Sequence, residues 1–251
     1  MAVIAAKCSC ARRPLHATRV VLLGGFELCN RGIPVHIGNQ TQRIIALVAL
    51  RKVSRVQAAG LLWPDVGESR AQASLRTALW RAGRACPGIL RRGGPRLSLK
   101  EDICVDVREL EAWAVASYEA HTAERGKNIV LPPVTGDLLP GWYDDWVLVE
   151  RERVRQLRLH ALEAVARALL SMRHYGLAVQ AALAAIADDP LRESPHRVLV
   201  EIYLHEGNRS EAIRHYAICR DLLRRELGVE PTPELQRLVM QADATRLPGR
   251  G

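Results

Sequence analysis

Several patterns that announce an enzyme or a membrane protein are missing from this chain of 251 residues. The longest clean apolar run, Ile44 to Leu50, falls far short of the roughly 20 residues needed to cross a bilayer. No H-E-x-x-H pair and no G-x-x-x-x-G-K-S/T phosphate loop occur, so neither a zinc-protease site nor a nucleotide-binding loop is expected. The six cysteines (Cys8, Cys10, Cys29, Cys86, Cys104, Cys219) lack a framework spacing, and the C-x-C of Cys8 and Cys10 has no second pair of ligands nearby. Histidines are dispersed, and Gly24-Gly25 lacks the rest of a dinucleotide fingerprint. Asp144-Asp145 and Asp188-Asp189 suit helix boundaries better than a catalytic dyad. No catalytic residue, metal or cofactor is expected. The short apolar start before Lys7 makes a poor signal peptide, so the expected location is the cytoplasm, without a membrane partner.

Acidic residues are scarce in one half of the chain. Residues 1–100 hold 17 Lys or Arg against 3 Asp or Glu, a balance of +14, whereas residues 101–251 hold 19 against 24, a balance of −5. This asymmetry implies a polyanion-binding module joined to one that does not bind polyanions. A membrane-surface module would suit the charge, but it should show an exposed bulky apolar face, and none is evident. The 48% hydrophobic and 25% charged content is that of a globular chain of one large or two ordinary domains.

In the basic half, residues 1–19 read as a disordered arm. Val20–Leu23, Phe26–Leu28 and Ile33–Ile37 are strand-like runs, separated by Gly24-Gly25 and Asn30-Arg31-Gly32, and suggest a small antiparallel sheet. Three helices follow. Thr41 to about Arg51 buries Ile44, Ile45, Leu47 and Val48. Ser54 is a natural N-cap for residues 55–63, which Pro64 stops. Pro64 to Gly67 then forms the turn of a helix-turn-helix leading into Ser69–Arg84. On that third helix Leu75, Ala78, Leu79 and Ala82 fall on one stripe. The opposite face carries Arg70, Ala73, Thr77, Trp80 and Arg84, flanked by Arg76 and Arg81.

Taken alone, the third helix fits an ordinary solvated basic face as well. Its surroundings favour a helix that enters a negatively charged groove, where guanidinium forks suit phosphates and guanine edges. Ile89–Arg92 and Arg96–Leu99, joined by Gly93-Gly94-Pro95, read as a β-hairpin with Arg91, Arg92 and Arg96 at its tip. Three helices and a basic hairpin make a winged helix, with the third helix in the major groove and the wing on backbone or minor groove. The candidate DNA-binding residues are Arg43, Arg70, Arg76, Thr77, Trp80, Arg81, Arg84, Arg91, Arg92 and Arg96. Double-stranded DNA is preferred to RNA, because the sheet lacks stacking aromatics.

The acidic half opens with a helix-like segment from Asp106 to about His121, followed by a proline-containing loop, Gly126 to Gly141, that reads as a hinge. The aromatic cluster of Trp142, Tyr143 and Trp146 reads as a plug for the junction between domains, with Asp144 or Asp145 capping the next helix. A partner-binding or stacking platform is the alternative. Helix-like segments then cover 146–172, 175–187, 192–206, 210–226 and 233–243. An offset of 34 residues aligns AVARALLSMRHYGLAVQ (164–180) with VLVEIYLHEGNRSEAIR (198–214), placing Ala178 on Ala212, Leu169 on Tyr203 and Ala182 on Tyr216. That is the tetratricopeptide period. Glu201 and Glu206, on the expected exposed side of one repeat helix, are candidate partner contacts.

TQRIIALVAL, VSRVQAAGLLWPD and SLRTALWRAGR, in that order, resemble the winged helix of SARP-type bacterial regulators of secondary-metabolism genes. LLPGWYDDWVLVERERVRQLRLHAL (138–162) and EAIRHYAICRDLLRRELGVEPTPEL (211–235) look like the bacterial transcriptional activator domain that follows it in that family. Many members carry Gly-Tyr in the wing, where this chain reads GGPRLSL. The resemblance implies a mainly α protein with small β elements: an arm over 1–19, a DNA-binding winged helix over 20–104, a tetratricopeptide-like activator domain over 105–245, and a tail over 246–251. It implies further a homodimer on repeated promoter sequences that recruits RNA polymerase. No receiver or ATPase module is expected. The rival reading is a protein-interaction adaptor whose basic domain binds DNA without sequence preference.

Overall fold

The computed structural model describes residues 18–91, 93–122 and 136–244. Two compact units divide the chain. One comprises Met1–Ala112 with Pro132–Val154, the other Trp113–Leu131 with Arg155–Gly251. Most of the expected arm, the bulk of the expected hinge and the expected tail lie outside the described residues.

The elements of the first unit run β1 (Arg19–Val21), β2 (Glu27–Asn30), β3 (Ile33–Pro34), α1 (Asn39–Leu50), β4 (Val53–Ser54), α2 (Arg55–Leu62), α3 (Glu68–Ala85), β5 (Arg96–Leu97) and β6 (Cys104–Val105). The starts of α4 (Asp106–Thr122) and α5 (Asp145–Ser171) complete it. β1, β2 and β3 form the expected antiparallel meander, and β6 adds to β1 in parallel, giving the order β3-β2-β1-β6. Beyond β1 the chain continues to pair. Leu139 N–H donates to Leu22 O at 2.8 Å, and Gly24 N–H donates to Asp137 O at 2.8 Å. Gly136 sits at φ +123°, and a Cβ there would lie 3.2 Å from Gly24 N, so only glycine allows this approach.

Asp106 fixes the same strand end from the other side. Its carboxylate is 1% exposed and accepts N–H bonds from Leu22 and Leu23, each at 2.8 Å, and from its neighbour Val107 at 2.8 Å. Burial pushes the Asp106 carboxyl above the usual carboxylate range, against the opposing pull of those three N–H groups and of Arg19.

The helices of the first unit pack through small residues. α1 buries Ile44, Ile45, Leu47 and Val48, α2 buries Ala58, Ala59 and Leu62, and α3 buries Ala71, Leu75, Ala78 and Ala82. The alanines let α3 lie close against α1 and α2. α2 starts with a full capping box: Gln57 N–H donates to Ser54 Oγ at 3.2 Å, and Ser54 N–H donates to Gln57 Oε1 at 3.0 Å.

A cut at 104 is not where the contacts divide. Glu150 of α5, 4% exposed, accepts from Arg51 Nε at 2.5 Å and from Arg153 Nε at 2.7 Å, while Arg153 also reaches Glu111 at 2.8 Å. Arg151 donates to the carbonyls of Leu138, Leu139 and Trp142 at 2.8, 2.6 and 2.9 Å. These pairings draw the start of α5 into the winged-helix unit. Trp146 is buried there, Trp142 stacks on Phe26 with centroids 6.2 Å apart, and Tyr143 is exposed.

The second unit continues with the rest of α5 and with α6 (Tyr175–Asp188), α7 (Glu193–Glu206), α8 (Arg209–Leu227) and α9 (Pro233–Ala244). α6 and α8 begin 34 residues apart, as the offset predicted, and the matched residues Ala178 and Ala212 are both fully buried. Val165, Leu169, Ala178, Ala182, Val198 and Ile202 form one core cluster, and Val200, Ala212, Cys219, Leu223 and Leu235 form the next. Asp188 and Asp189 stand at the end of α6 and take Arg158 at 2.5 Å and Arg155 at 2.7 Å from α5.

Between α7 and α8, His196 Nδ1 and His215 Nε2 are 3.0 Å apart, and His196 Nε2 lies 2.9 Å from Pro190 O. The carbonyl can only accept, so Nε2–H of His196 donates to it and Nε2–H of His215 donates to Nδ1 of His196. Burial, the neighbouring His196 and Arg214 lower the His215 pKa to about 4, and burial also lowers that of His196.

Two outcomes follow from these bonds. Asp106→Asn leaves one acceptor oxygen for three N–H groups and is expected to destabilise the first unit by about 2–4 kcal/mol. Urea unfolding measures it, and an unchanged midpoint would mean that the three bonds contribute nothing. A depressed histidine pKa contributes stability above the unfolded value of about 6.5, lost as pH falls toward the folded value of about 4. The second unit is therefore expected to lose on the order of 2 kcal/mol across that interval, after allowance for solvent screening. His215→Gln should flatten this slope in pH-resolved unfolding, and a slope equal to the parent's would assign it to other groups.

Candidate nucleic-acid interface

The local sequence dictates which face of α3 points outward. Its buried stripe is Ala71, Leu75, Ala78 and Ala82, with Leu79 half-buried beside it. Arg70, Arg76, Thr77, Trp80, Arg81 and Arg84 are all exposed. Among the described residues none of the four arginines takes part in an ion pair. Many arginines elsewhere in the chain differ. Arg153, Arg155, Arg158, Arg192, Arg214 and Arg224 are each paired with a carboxylate. Unpaired guanidinium groups on one helix face hold a concentrated positive potential ready for an external anion.

Thr77 Oγ donates to Ala73 O at 3.1 Å, which leaves the hydroxyl oxygen as an outward acceptor. Trp80 is 59% exposed, and Arg84 Cζ lies 4.9 Å from the centroid of its ring. Such a cation–π contact restrains a guanidinium without neutralising it.

The wing closes between Leu90 and Leu99. Arg91 N–H donates to Ser98 O at 2.9 Å, and Lys100 N–H donates to Ile89 O at 3.1 Å. The two arms pair as expected, and the second arm has a further partner on its other part. β5 pairs with β4, Val53 opposite Leu97 and Ser54 opposite Arg96, because both Val53 and Leu97 turn apolar side chains inward. Arg96 is exposed, and Arg91 is exposed beside Glu101 at 3.4 Å. Arg92 lies outside the described residues.

The pairing of β4 with β5 brings Arg96 opposite the Ser54 cap, whose neighbours Lys52 and Arg55 are also exposed and without an ion-pair partner among the described residues. These two cations were missed by sequence reasoning, which treated residues 52–55 only as a helix start. The signal available was their position on either side of an N-cap, where the helix N-terminus favours anions.

Arg43 departs from expectation. Its guanidinium is bound to the Asp144 carboxylate and lies 3.4 Å from Gln40 Oε1. The side chain is mostly buried, so this charge serves the unit's interior and leaves the candidate set. Asp144 gives one carboxylate oxygen to Arg43 and stands at the head of α5, its carbonyl accepting from Val147 N–H at 2.8 Å and Leu148 N–H at 3.1 Å. In the second unit, Glu206 is exposed as expected. Glu201 is half-buried and lines a cavity of about 370 Å³ with Arg167, Arg197, Glu234, Arg237 and Leu238. Among the described residues there is no cluster of three or more His, Cys, Asp or Glu able to hold a metal, and no helix long and apolar enough to cross a membrane.

A winged helix with a bare arginine face, together with tetratricopeptide-like helix pairs, defines a class of bacterial transcription regulator. Residues 99–241 match the bacterial transcriptional activator domain. The chain belongs to the family built around that domain, the SARP-type transcriptional regulators. It is 29% identical over 243 residues to the regulatory protein AfsR of Streptomyces coelicolor, covering 90% of this chain and 24% of that protein. Against AfsR of Streptomyces griseus it is 29% identical over 245 residues, covering 90% and 25%. The chain thus spans about a quarter of the length of these relatives. EmbR of Mycobacterium tuberculosis, solved in complex with a low-affinity phosphopeptide, shares the fold with a TM-score of 0.75 at 20% identity, over 93% of this chain and 66% of that one.

The different fates of Arg43 and Arg96 can be measured. Arg43→Ala should lower stability by about 1–2 kcal/mol, since it leaves Asp144 without its partner. It should leave retention on a heparin column unchanged. Arg96→Ala should do the reverse, and identical retention of the two variants would refute the division.

Proposed function

We propose that this transcriptional activator binds promoter DNA in a sequence-specific manner, with α3 in the major groove and the wing on the sugar-phosphate backbone. The observation that carries this reading is the row of exposed, unpaired arginines on α3. They stand opposite an alanine stripe that seats the helix on its own unit. Arg70, Arg76, Arg81, Arg84 and Thr77 are assigned to base edges or adjacent phosphates. Arg91, Arg96, Lys52 and Arg55 are assigned to backbone phosphates, where they position the protein without reading sequence. Family membership supports the remaining assignments: a homodimer on repeated half-sites, recruitment of RNA polymerase by the helical-repeat unit, action in the cytoplasm and control of secondary-metabolite genes. The −5 balance of residues 101–251 fits a unit that contacts protein and leaves DNA to the basic half.

Selection from a random duplex pool followed by footprinting provides the test. A discrete footprint is expected, and uniform salt-sensitive coating would favour the adaptor reading instead. Arg76→Ala or Arg81→Ala should cost about 1–3 kcal/mol at the selected site and relax preference at single positions. Arg91→Ala and Arg96→Ala should weaken selected and random duplexes equally, each reducing the salt slope by about 1.

A further inference from the structure

Resting on the assignment of α3 to the major groove, we infer that Trp80 and Arg84 act as one reading element for a guanine with a thymine next to it on the same strand. The two residues are four apart, which places their side chains over one another on the helix surface. The guanidinium carbon lies 4.9 Å from the centre of the indole ring, and the ring is 59% exposed. An indole left this open on a charged helix face has no role in the core of its unit, whose stripe runs through Ala71, Leu75, Ala78 and Ala82.

The chemistry of the pair selects its target. Arginine matches the two acceptors of guanine, O6 and N7, and contact with the ring removes part of the rotamer freedom that such a bidentate bond would otherwise freeze. The indole presents an apolar surface beside it, and the apolar group on the major-groove edge is the thymine C5-methyl. Distance then sets the spacing. Stacked bases on one strand rise about 3.4 Å, so next-but-one bases are about 6.8 Å apart. The 4.9 Å between guanidinium and ring fits one step with a lateral offset and falls short of two. Thr77, one turn before on the same face, offers an acceptor toward an amino group at a neighbouring position.

The experiment uses the full chain and a duplex selected from a random pool. Within that duplex each thymine is replaced in turn by deoxyuridine, which deletes only the methyl group, and each guanine by 7-deazaguanine, which deletes N7. For the parent protein one thymine should show a loss of about fourfold, the worth of a single apolar carbon. The guanine next to it should show a loss of about tenfold or more. Trp80→Ala should abolish the deoxyuridine effect and reduce the 7-deazaguanine effect, whereas Trp80→Phe should retain both. Arg84→Ala should abolish the 7-deazaguanine effect. Helical content by circular dichroism checks that each variant is folded, and both side chains are exposed. The inference is overturned if no adjacent thymine and guanine respond together, or if Trp80→Ala responds to deoxyuridine as the parent does. Failure to enrich any sequence overturns the groove assignment itself. Enrichment with no dependence on Trp80 overturns only the reading element.

Discussion

Three backbone N–H groups converge on the carboxylate of Asp106, a residue with almost no solvent contact. Leu22 and Leu23 lie just past the end of β1, and their N–H groups turn to this carboxylate while their strand pairs onward with Leu138 and Leu139. A buried amide without an acceptor would cost on the order of 1–3 kcal/mol each, so the strand end needs a partner from elsewhere in the chain. Asp106 supplies it from the first position of α4, and its own burial opposes ionisation while the three donors favour it. The carboxylate therefore couples the sheet to the helix that follows it. The backbone bonds from Leu139 and to Asp137 then bring the later segment onto the same strand end. The start of α4 also reaches α1, because Arg108 donates to Ala49 O at 3.1 Å.

Counting how each arginine is used separates structure from recognition more sharply than counting charge. Arg43, Arg51, Arg151 and Arg153 carry formal charges as large as those of α3, yet each is spent on a carboxylate or on carbonyl oxygens inside the first unit. Partial burial makes such pairs costly to break and unavailable to an outside ligand. On α3 the outward positions lack carboxylate neighbours, because Glu68 at the helix start is the single acidic residue of the segment. The positive balance of the first 100 residues therefore overstates the charge available to an outside anion, and the bare face of one helix gives the better measure.

Local patterns were legible and long-range pairings were not. Ser54 and Gln57 stand at capping-box spacing, and the alanine–leucine stripe of α3 has the helical period, so both could be read from neighbouring residues. The 34-residue offset likewise located the starts of α6 and α8. By contrast Arg43 and Asp144 are 101 positions apart, and Asp106 lies 84 positions from Leu22. No periodicity links such residues, so Arg43 counted as a free cation and the unit boundary fell at a change of composition. Lys52 and Arg55 were overlooked for a related reason. Their relevance comes from the pairing of β4 with β5, which sets Arg96 opposite Ser54.

The first unit is discontinuous, Met1–Ala112 being completed by Pro132–Val154, and this bears on how the chain is made. A ribosome adds about 5–20 residues per second, so the roughly 50 residues from Asp106 to Val154 take about 2–10 s to appear. Through that interval the backbone of Leu22–Gly24 waits for Asp137–Leu139, and Arg51 waits for Glu150. An unpaired strand end is the kind of surface that captures other nascent chains. A chain truncated between Asp106 and Asp137 would therefore carry all four strands of the sheet, with Leu22–Gly24 and Arg51 still lacking these later partners.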